Sequence, residues 1–251
     1  MSGLSAGVRN EYCMSKTFLF ELCADSLDAA RAAQSGGADR LELCEQLAIA
    51  GVTPSIVLLS AVLAEVSIPV HVLIRPRGGD FVYSRAEFKQ MREEIEQAKA
   101  AGAAGVAIGV LLPDGRVDGK RTRELADLAR PMKVTFHRAF DEASDLEKAL
   151  EDVIRTGADC LLTSGGAQNV LLGAEQIARL QNQAGDRLEV MAGGGLKLTN
   201  LAEVVRRSGV TCLHGSLSRS KDSGIDVRSA LEQDLREAIR LLQQECLEHA
   251  G

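Results

Sequence analysis

The sequence predicts an α/β fold, a single-domain (β/α)8 TIM barrel, on three observations. Eight apolar runs suited to β-strands alternate with eight stretches of helical 3.6-residue periodicity. Four helices end at a glycine that a strand follows closely, at Gly37, Gly102, Gly157 and Gly209. No linker or break in composition marks a second domain in the 251 residues. The even repeat therefore favours a closed barrel over an open doubly wound sheet.

The eight strands are predicted in chain order from these runs. The first is the alternating run 18–23, in which Phe18, Phe20 and Leu22 form an apolar face. Four more strands form the ends of the segments 37–43, 102–108, 157–162 and 209–213. Each segment begins with a glycine that supplies a left-handed cap to the preceding helix, and the strand follows at once. The runs 69–74, 131–136 and 187–191 lie between those segments. Each interval between two glycines therefore holds two strand–helix units.

The helices alternate with these strands. The periodic stretches are 25–35, 55–66, 85–101, 119–129, 145–156, 170–184, 198–208 and 227–247. Residues 1–16 lack such a pattern and are predicted to be a flexible N-terminal extension. The barrel domain is assigned to residues 17–251 and ends in a C-terminal helix.

Charge and composition exclude several classes of function. The chain has 29 Lys and Arg against 35 Asp and Glu, a net charge of −6, which disfavours general nucleic-acid binding. Apolar runs such as 106–112 fall far below the roughly 20 residues that span a bilayer. The six cysteines lack CxxC spacing and the N-terminus lacks an apolar signal segment. We therefore expect no membrane and no nucleic-acid partner, reduced thiols and a cytoplasmic location.

Alternation along the first two strands directs carboxylates and thiols into the barrel. Glu21 and Glu42 face inward and are expected at equivalent heights on neighbouring strands. A buried carboxylate must be neutralised or paired, so we expect one raised pKa, or a cation such as Arg75 or Arg138. Two carboxylates in different environments are typical of acid and base pairs. A structural ion-pair layer is the alternative.

The loops after the strands are rich in glycine and arginine and predict an anion site. Arginine beside flexible glycine suits a bidentate anion, and glycine lets backbone amides approach a ligand, although tight turns also use glycine. The candidate anion-binding residues are Arg75, Arg77, Arg138, Ser164, Gly165, Gly193, Gly194, Gly195 and His214.

His137 ends the fifth strand beside Arg138 and Asp141. An imidazole can transfer protons near neutral pH, so His137 joins Glu21 and Glu42 as a candidate catalytic residue. A core histidine bonded to a neighbouring strand is the alternative. No nucleophile elbow supports hydrolase chemistry, and no organic cofactor is predicted.

Cys23 and Cys44 end neighbouring strands on the same inferred face. Their sulfurs could share one soft metal ion, and paired thiolates favour Cu(I) over Mg²⁺ or Ca²⁺. The alternative is two small buried residues that only pack between strands. Cys13, Cys160, Cys212 and Cys246 are assigned to no site.

Several motifs together resemble the CutC copper homeostasis family over about residues 17–225. They are residues 21–26, 36–44, 53–55, 74–84, 134–141, 162–166 and 193–195. The resemblance implies a (β/α)8 barrel in the cytoplasm that forms homo-oligomers, dimers or tetramers. It also implies a role in copper handling, with Cu(I) held by Cys23 and Cys44.

Two main hypotheses therefore stand. The resemblance implies a cytosolic copper-homeostasis protein that binds Cu(I) through paired cysteines at the barrel mouth. The loop residues instead favour a barrel enzyme with lyase- or isomerase-like proton transfer on a small anionic or phosphorylated substrate. A barrel used only as a binding platform is a third, minor possibility.

Overall fold

The computed structural model describes residues 18–217 and 227–248. The predicted extension over residues 1–16 lies outside the described residues. The main elements in chain order are β1 (Leu19–Ala24), α1 (Leu27–Gly36), β2 (Arg40–Leu43), α2 (Ile56–Glu65), β3 (Val70–Leu73), α3 (Arg85–Ala101), β4 (Gly105–Ile108), α4 (Gly119–Ala129), β5 (Lys133–Phe136), α5 (Leu146–Thr156), β6 (Cys160–Thr163), α6 (Ala174–Ala184), β7 (Glu189–Gly193), α7 (Leu201–Ser208), β8 (Cys212–Gly215) and α8 (Val227–Glu248). Short 3₁₀ helices cover Leu47–Ile49, Arg138–Glu142 and Gly185–Arg187.

The eight strands form one closed parallel barrel in the order of the chain, and β1 pairs with β8. The predicted (β/α)8 TIM barrel is therefore confirmed. Along β1, Glu21 lies opposite Arg40 of β2 and opposite His214 of β8, whereas Cys23 lies opposite Glu42. This register sets the depth of each inward side chain below the barrel mouth.

The main core lies between the barrel and its ring of helices. Alternate strand residues point outward into it, because side chains along a strand alternate between the two faces. Phe20, Leu22, Leu41 and Phe136 are 1% exposed or less and belong to this layer. The opposite set points into the barrel, where polar groups and sulfurs gather.

Glycine ends four of the helices as the sequence predicts. Gly37, Gly102, Gly157 and Gly209 adopt φ angles of 91°, 93°, 82° and 71°, and each caps a helix just before the next strand. These angles lie in the left-handed region, which glycine enters at little cost.

Two helices begin three or four residues later than their periodicity predicts. α6 starts at Ala174 rather than at residue 170, and α7 starts at Leu201 rather than at residue 198. Asparagine side chains hold the preceding backbone in turns: Asn169 accepts from the amide of Leu172, and Asn200 accepts from the amide of Lys197. Among the described residues, no helix combines the length and apolar character needed to cross a membrane.

Candidate functional site

A cavity of about 330 Å3 opens at the carboxyl ends of the strands. In (β/α)8 barrels this end carries the loops that bind ligands. The cavity wall includes thiol, carboxylate, imidazole and guanidinium groups and some apolar side chains. The lining residues relevant to the site are Cys23, Glu42, Leu73, Arg75, Phe81, His137, Arg138, Gly194, Gly195, His214 and Ser216.

Two thiols meet at the floor of this cavity. Cys23 lies in β1 and Cys44 directly follows β2, and their Sγ atoms are 3.7 Å apart. Cys23 lines the cavity, whereas Cys44 is completely buried behind it. Leu73 and Ala107 pack around the pair. The expected proximity of the two sulfurs is therefore present, with one thiol facing the cavity.

The pair is electrostatically suited to a cation. The hydrogen bond with Cys44, burial, and the nearby Glu42 carboxylate raise the pKa of Cys23 well above its usual range. At neutral pH Cys23 is therefore a protonated thiol, in hydrogen-bond contact with the sulfur of Cys44. A soft cation between the sulfurs would replace the thiol protons, which would be released, and would stabilise the two thiolates. The donor set thus fits a soft metal ion.

A carboxylate and an imidazole lie beside the pair. Oε1 of Glu42 is 3.9 Å from Sγ of Cys23, and ligand atoms of Cys23, Glu42 and His214 all lie within 4.8 Å of one another. Burial raises the pKa of Glu42 to about 7. Glu42 can therefore hold or release a proton near neutral pH, directly beside the thiols.

Glu21 lies below this group and is held by two cations. Its Oε1 is 2.7 Å from Nδ1 of His214, and its Oε2 accepts from Nε of Arg40 at 2.5 Å. Burial alone raises the pKa of Glu21, but the hydrogen bond from His214 and the two positive charges lower it to about 2. A charged carboxylate therefore orients the imidazole that reaches the thiols, an arrangement common behind metal-ligating histidines.

The expected equal height of the two carboxylates is wrong. The register pairs Glu21 with Arg40 and Cys23 with Glu42, so Glu21 lies one inward position deeper than Glu42. The residues that hold Glu21 are Arg40 and His214, not Arg75 or Arg138. Arg40 was missed although it shares the inward alternation of Glu42. The expected difference in the environments of the two carboxylates is nevertheless present.

Arg75 lines the cavity but is bonded to the protein itself. Its Nη1 donates to the carbonyls of Ile49, Ala50 and Gly51, and its Nη2 donates to the carbonyl of Gly79. The side chain is only 5% exposed. Arg75 therefore joins the loop after β2 to the loop after β3.

Arg77 is not among the residues that line the cavity. Its Nε donates to Glu87 at 2.6 Å and its Nη2 donates to Asp80 at 2.9 Å. Glu87 also completes the capping box of α3 with Ser84. Arg77 therefore connects the loop after β3 to the start of α3.

Arg138 is the arginine at the mouth that keeps solvent contact. Its side chain is 43% exposed, with Nε on Asp141 at 2.8 Å and Nη2 on Ser164 at 3.2 Å. A Cβ on Gly194 would lie 2.9 Å from the guanidinium carbon, so glycine lets Arg138 pack on the loop after β7. Arg138, Gly194 and Gly195 form one wall of the cavity.

The remaining glycine candidates lie behind this wall. A Cβ on Gly193 would lie 2.6 Å from Leu162 and 3.1 Å from His214, and one on Gly165 would lie 2.5 Å from the carbonyl oxygen of Gly173. These glycines allow close packing of the loops, and neither lines the cavity. Ser164 is buried as well and holds Asp141.

His137 is a buried, neutral imidazole. Burial lowers its pKa to about 3, and the charges of Arg75 and Arg138 act in the same direction. Its Nδ1 accepts from the amide of Ala139 at 3.1 Å, which leaves the proton on Nε2. Within residues 18–217 and 227–248, this Nε2 has no hydrogen-bond partner. The ring lines the cavity, so it can offer one donor there.

Comparisons with known proteins agree on one family. The model of the CutC family matches residues 18–219. A Chromobacterium violaceum protein named as family protein CutC is 49% identical over 198 residues, which cover 79% of this chain and 80% of that protein. The human copper homeostasis protein cutC homolog is 45% identical over 213 residues, 85% of this chain and 78% of that protein.

A solved structure agrees with the sequence relatives. The crystal structure of a Streptococcus agalactiae protein named CutC superimposes with a TM-score of 0.75 at 30% sequence identity. The alignment covers 80% of this chain and 99% of that chain. The family model, the sequence relatives and the solved structure all indicate the same family. The chain therefore belongs to the CutC family of copper homeostasis proteins.

Proposed function

We propose that this protein is a cytosolic copper-homeostasis protein that binds Cu(I) through Cys23 and Cys44. The observation that carries the proposal is the pair of sulfurs 3.7 Å apart at the floor of the mouth cavity. Thiolates are soft ligands, and soft ligands select Cu(I) over Mg²⁺ and Ca²⁺.

The groups around the sulfurs support binding of a cation. Glu42 places a carboxylate 3.9 Å from Cys23, and a ring nitrogen of His214 lies within 4.8 Å of both. Binding must release thiol protons, so the affinity for Cu(I) should rise with pH. Either neighbour can complete the coordination when the sulfurs alone leave a position open.

An anaerobic Cu(I) titration against a competing chelator tests this function. Replacing both thiols, Cys23→Ser with Cys44→Ser, should remove one bound equivalent and its sulfur signal in X-ray absorption. The matched control is Cys13→Ser with Cys246→Ser, which should keep that equivalent. Equal stoichiometry and affinity in wild type and Cys23→Ser/Cys44→Ser protein would refute the proposal.

Cytosolic action and homo-oligomer formation belong to the same proposal. The described cysteines Cys23, Cys44, Cys160 and Cys212 are all free thiols, as expected for a reducing compartment. On α2, Ile56 and Val57 are 46% and 76% exposed, an apolar surface suited to a second copy. Light scattering coupled to size exclusion should give the mass of a dimer or tetramer, and a monomer would contradict that part.

An enzyme acting on a small anionic or phosphorylated substrate is the second candidate function. The observation favouring it is Arg138, exposed beside Gly194 in a cavity large enough for a small molecule. Glu42 and His137 line the same cavity, and Glu21 orients His214. These groups would donate protons to the substrate and accept protons from it. Proton transfer of a lyase or isomerase type would follow.

A thermal-shift screen with phosphate and carboxylate compounds tests the second function. A substrate-like compound should raise the melting temperature of the wild type and should lose this effect in Arg138→Ala. Arg77→Ala is the control, because Arg77 does not line the cavity. No stabilisation by any compound in the wild type would count against an anion site.

A further inference from the structure

We propose a second soft-metal site at the opposite end of the barrel, formed by the thiols of Cys160 and Cys212 with the thioether of Met191. The three residues lie in β6, β8 and β7 and point into the barrel near the starts of these strands. The site shares no residue with the cavity at the mouth.

The geometry gathers sulfur ligands in a buried place. Sγ of Cys160, Sγ of Cys212 and a carboxylate oxygen of Glu189 lie within 4.8 Å of one another. Cys160, Cys212 and Met191 are 4%, 1% and 0% exposed. Glu189 is 43% exposed at its side chain, so it marks the route from solvent. Two thiols and a thioether form a donor set that favours a soft ion.

A metal ion explains this pair better than a disulfide does. β7 lies between β6 and β8, and adjacent strands are about 4.8 Å apart, which separates the two backbones by about 9 Å. A disulfide needs Cα atoms within about 7 Å. An ion with two metal–sulfur bonds of about 2.3 Å spans about 4.6 Å between sulfurs, and the two Sγ atoms lie within 4.8 Å of each other.

Arg40 provides the charge that such a site requires. Its Nη2 lies 3.3 Å from Sδ of Met191 and 3.7 Å from Sγ of Cys212, and its Nη1 lies 3.8 Å from Glu189. Two thiolates around a monovalent cation carry a net charge of −1, and the guanidinium that also pairs with Glu21 lies directly beside that charge. The ion expected here is therefore monovalent and soft, such as Cu(I) or Ag(I).

The test uses a protein in which only these two thiols remain. Of the six cysteines, Cys13, Cys23, Cys44 and Cys246 are replaced by serine. Anaerobic titration with Cu(I) or Ag(I) against a chelator should show one bound equivalent, with sulfur ligands in X-ray absorption. Adding Cys160→Ala and Cys212→Ala should abolish it. Circular dichroism verifies that each variant is folded.

A volume-conserving variant keeps the test independent of folding effects. Met191→Leu in the same protein retains both thiols and should lose one sulfur neighbour in the absorption spectrum and bind at least tenfold more weakly. The proposal is overturned if the protein with two thiols binds no ion, or if binding survives Cys160→Ala with Cys212→Ala. If Cys23 and Cys44 did not bind Cu(I), only the bound equivalent that depends on these two thiols would be missing. The result for Cys160 and Cys212 would be unaffected.

Discussion

At the scale of single residues, His137 is one of the buried groups that make the stability of the barrel depend on pH. Burial lowers its pKa from the ordinary 6.5 to about 3, so the folded state binds this proton less readily than the unfolded state. The stability that results is complete above pH 6.5 and is lost as the pH falls from 6.5 toward 3.

His137→Gln should remove this dependence. The loss in free energy of unfolding relative to wild type should be largest at pH 7. It should shrink by about 1.4 kcal/mol per pH unit between pH 6 and pH 4. Urea unfolding of both proteins at several pH values measures the difference. A cost independent of pH would show that the imidazole is not kept neutral by the fold.

Gly109 is a second residue whose identity the fold requires. A Cβ there would lie 2.5 Å from the ring of His137 and 2.8 Å from Cβ of Ala139. Gly109→Ala should therefore destabilise the protein by about 1–3 kcal/mol through overpacking. Gly119→Ala is the control, since a Cβ at Gly119 meets nothing within 4 Å. Denaturant unfolding should separate the two variants, and equal stabilities would contradict the steric argument.

Residue patterns predict which face a side chain occupies, but not how deep it lies. Alternation places Glu21, Cys23 and Glu42 inside the barrel. Depth depends on the stagger between strands, and the register lowers Glu21 to the level of Arg40. Partner choice is also non-local: the carbonyls that bind Arg75 come from residues 24 to 26 positions earlier and four later. No spacing in the sequence reveals these bonds.

At the scale of elements, α8 completes the helical ring by packing against α1. Leu235 is fully buried there, and a Cβ on Gly36 would lie 2.8 Å from its Cδ2. Glycine in α1 thus allows the two helices to approach closely.

Leu235→Ala should cost about 2–5 kcal/mol, because it opens a cavity between helices that are already in contact. Gln233→Ala, exposed on the same helix, should change stability by less than about 0.5 kcal/mol. Thermal and urea unfolding would measure both variants. Similar losses at the two positions would mean that α8 contributes little through this contact.

Helix ends show what local sequence can and cannot predict. Gly37 and Gly157 signal helix termini because their backbone angles favour glycine regardless of the tertiary structure. The starts of α6 and α7 depend on Asn169 and Asn200, whose side chains compete with helical hydrogen bonds. Periodicity alone does not detect this competition, so it predicts both helices too early.

At the scale of the whole molecule, β1 and β8 close the barrel within the described residues. β1 pairs with β8, and the amide of Leu19 donates to the carbonyl of Thr211. Deleting residues 1–16 should therefore leave one cooperative unfolding transition, with a melting temperature changed by less than about 2 °C.

A longer deletion provides the control. Removing residues 1–20 also removes Leu19 and the buried Phe20 from β1, which should prevent cooperative folding. Calorimetry of the two truncated chains would distinguish them. Strong destabilisation by the shorter deletion would contradict the predicted boundary of the barrel domain.

Closure of the barrel also affects how folded copies can aggregate. All eight strands have a hydrogen-bonded neighbour on both sides, so the described sheet presents no unpaired edge. Edge strands are the templates from which cross-β fibrils and strand-swapped assemblies grow. For this protein such growth must begin after the ring has opened, so fibril formation depends on the rate at which the barrel opens as well as on the concentration of the protein.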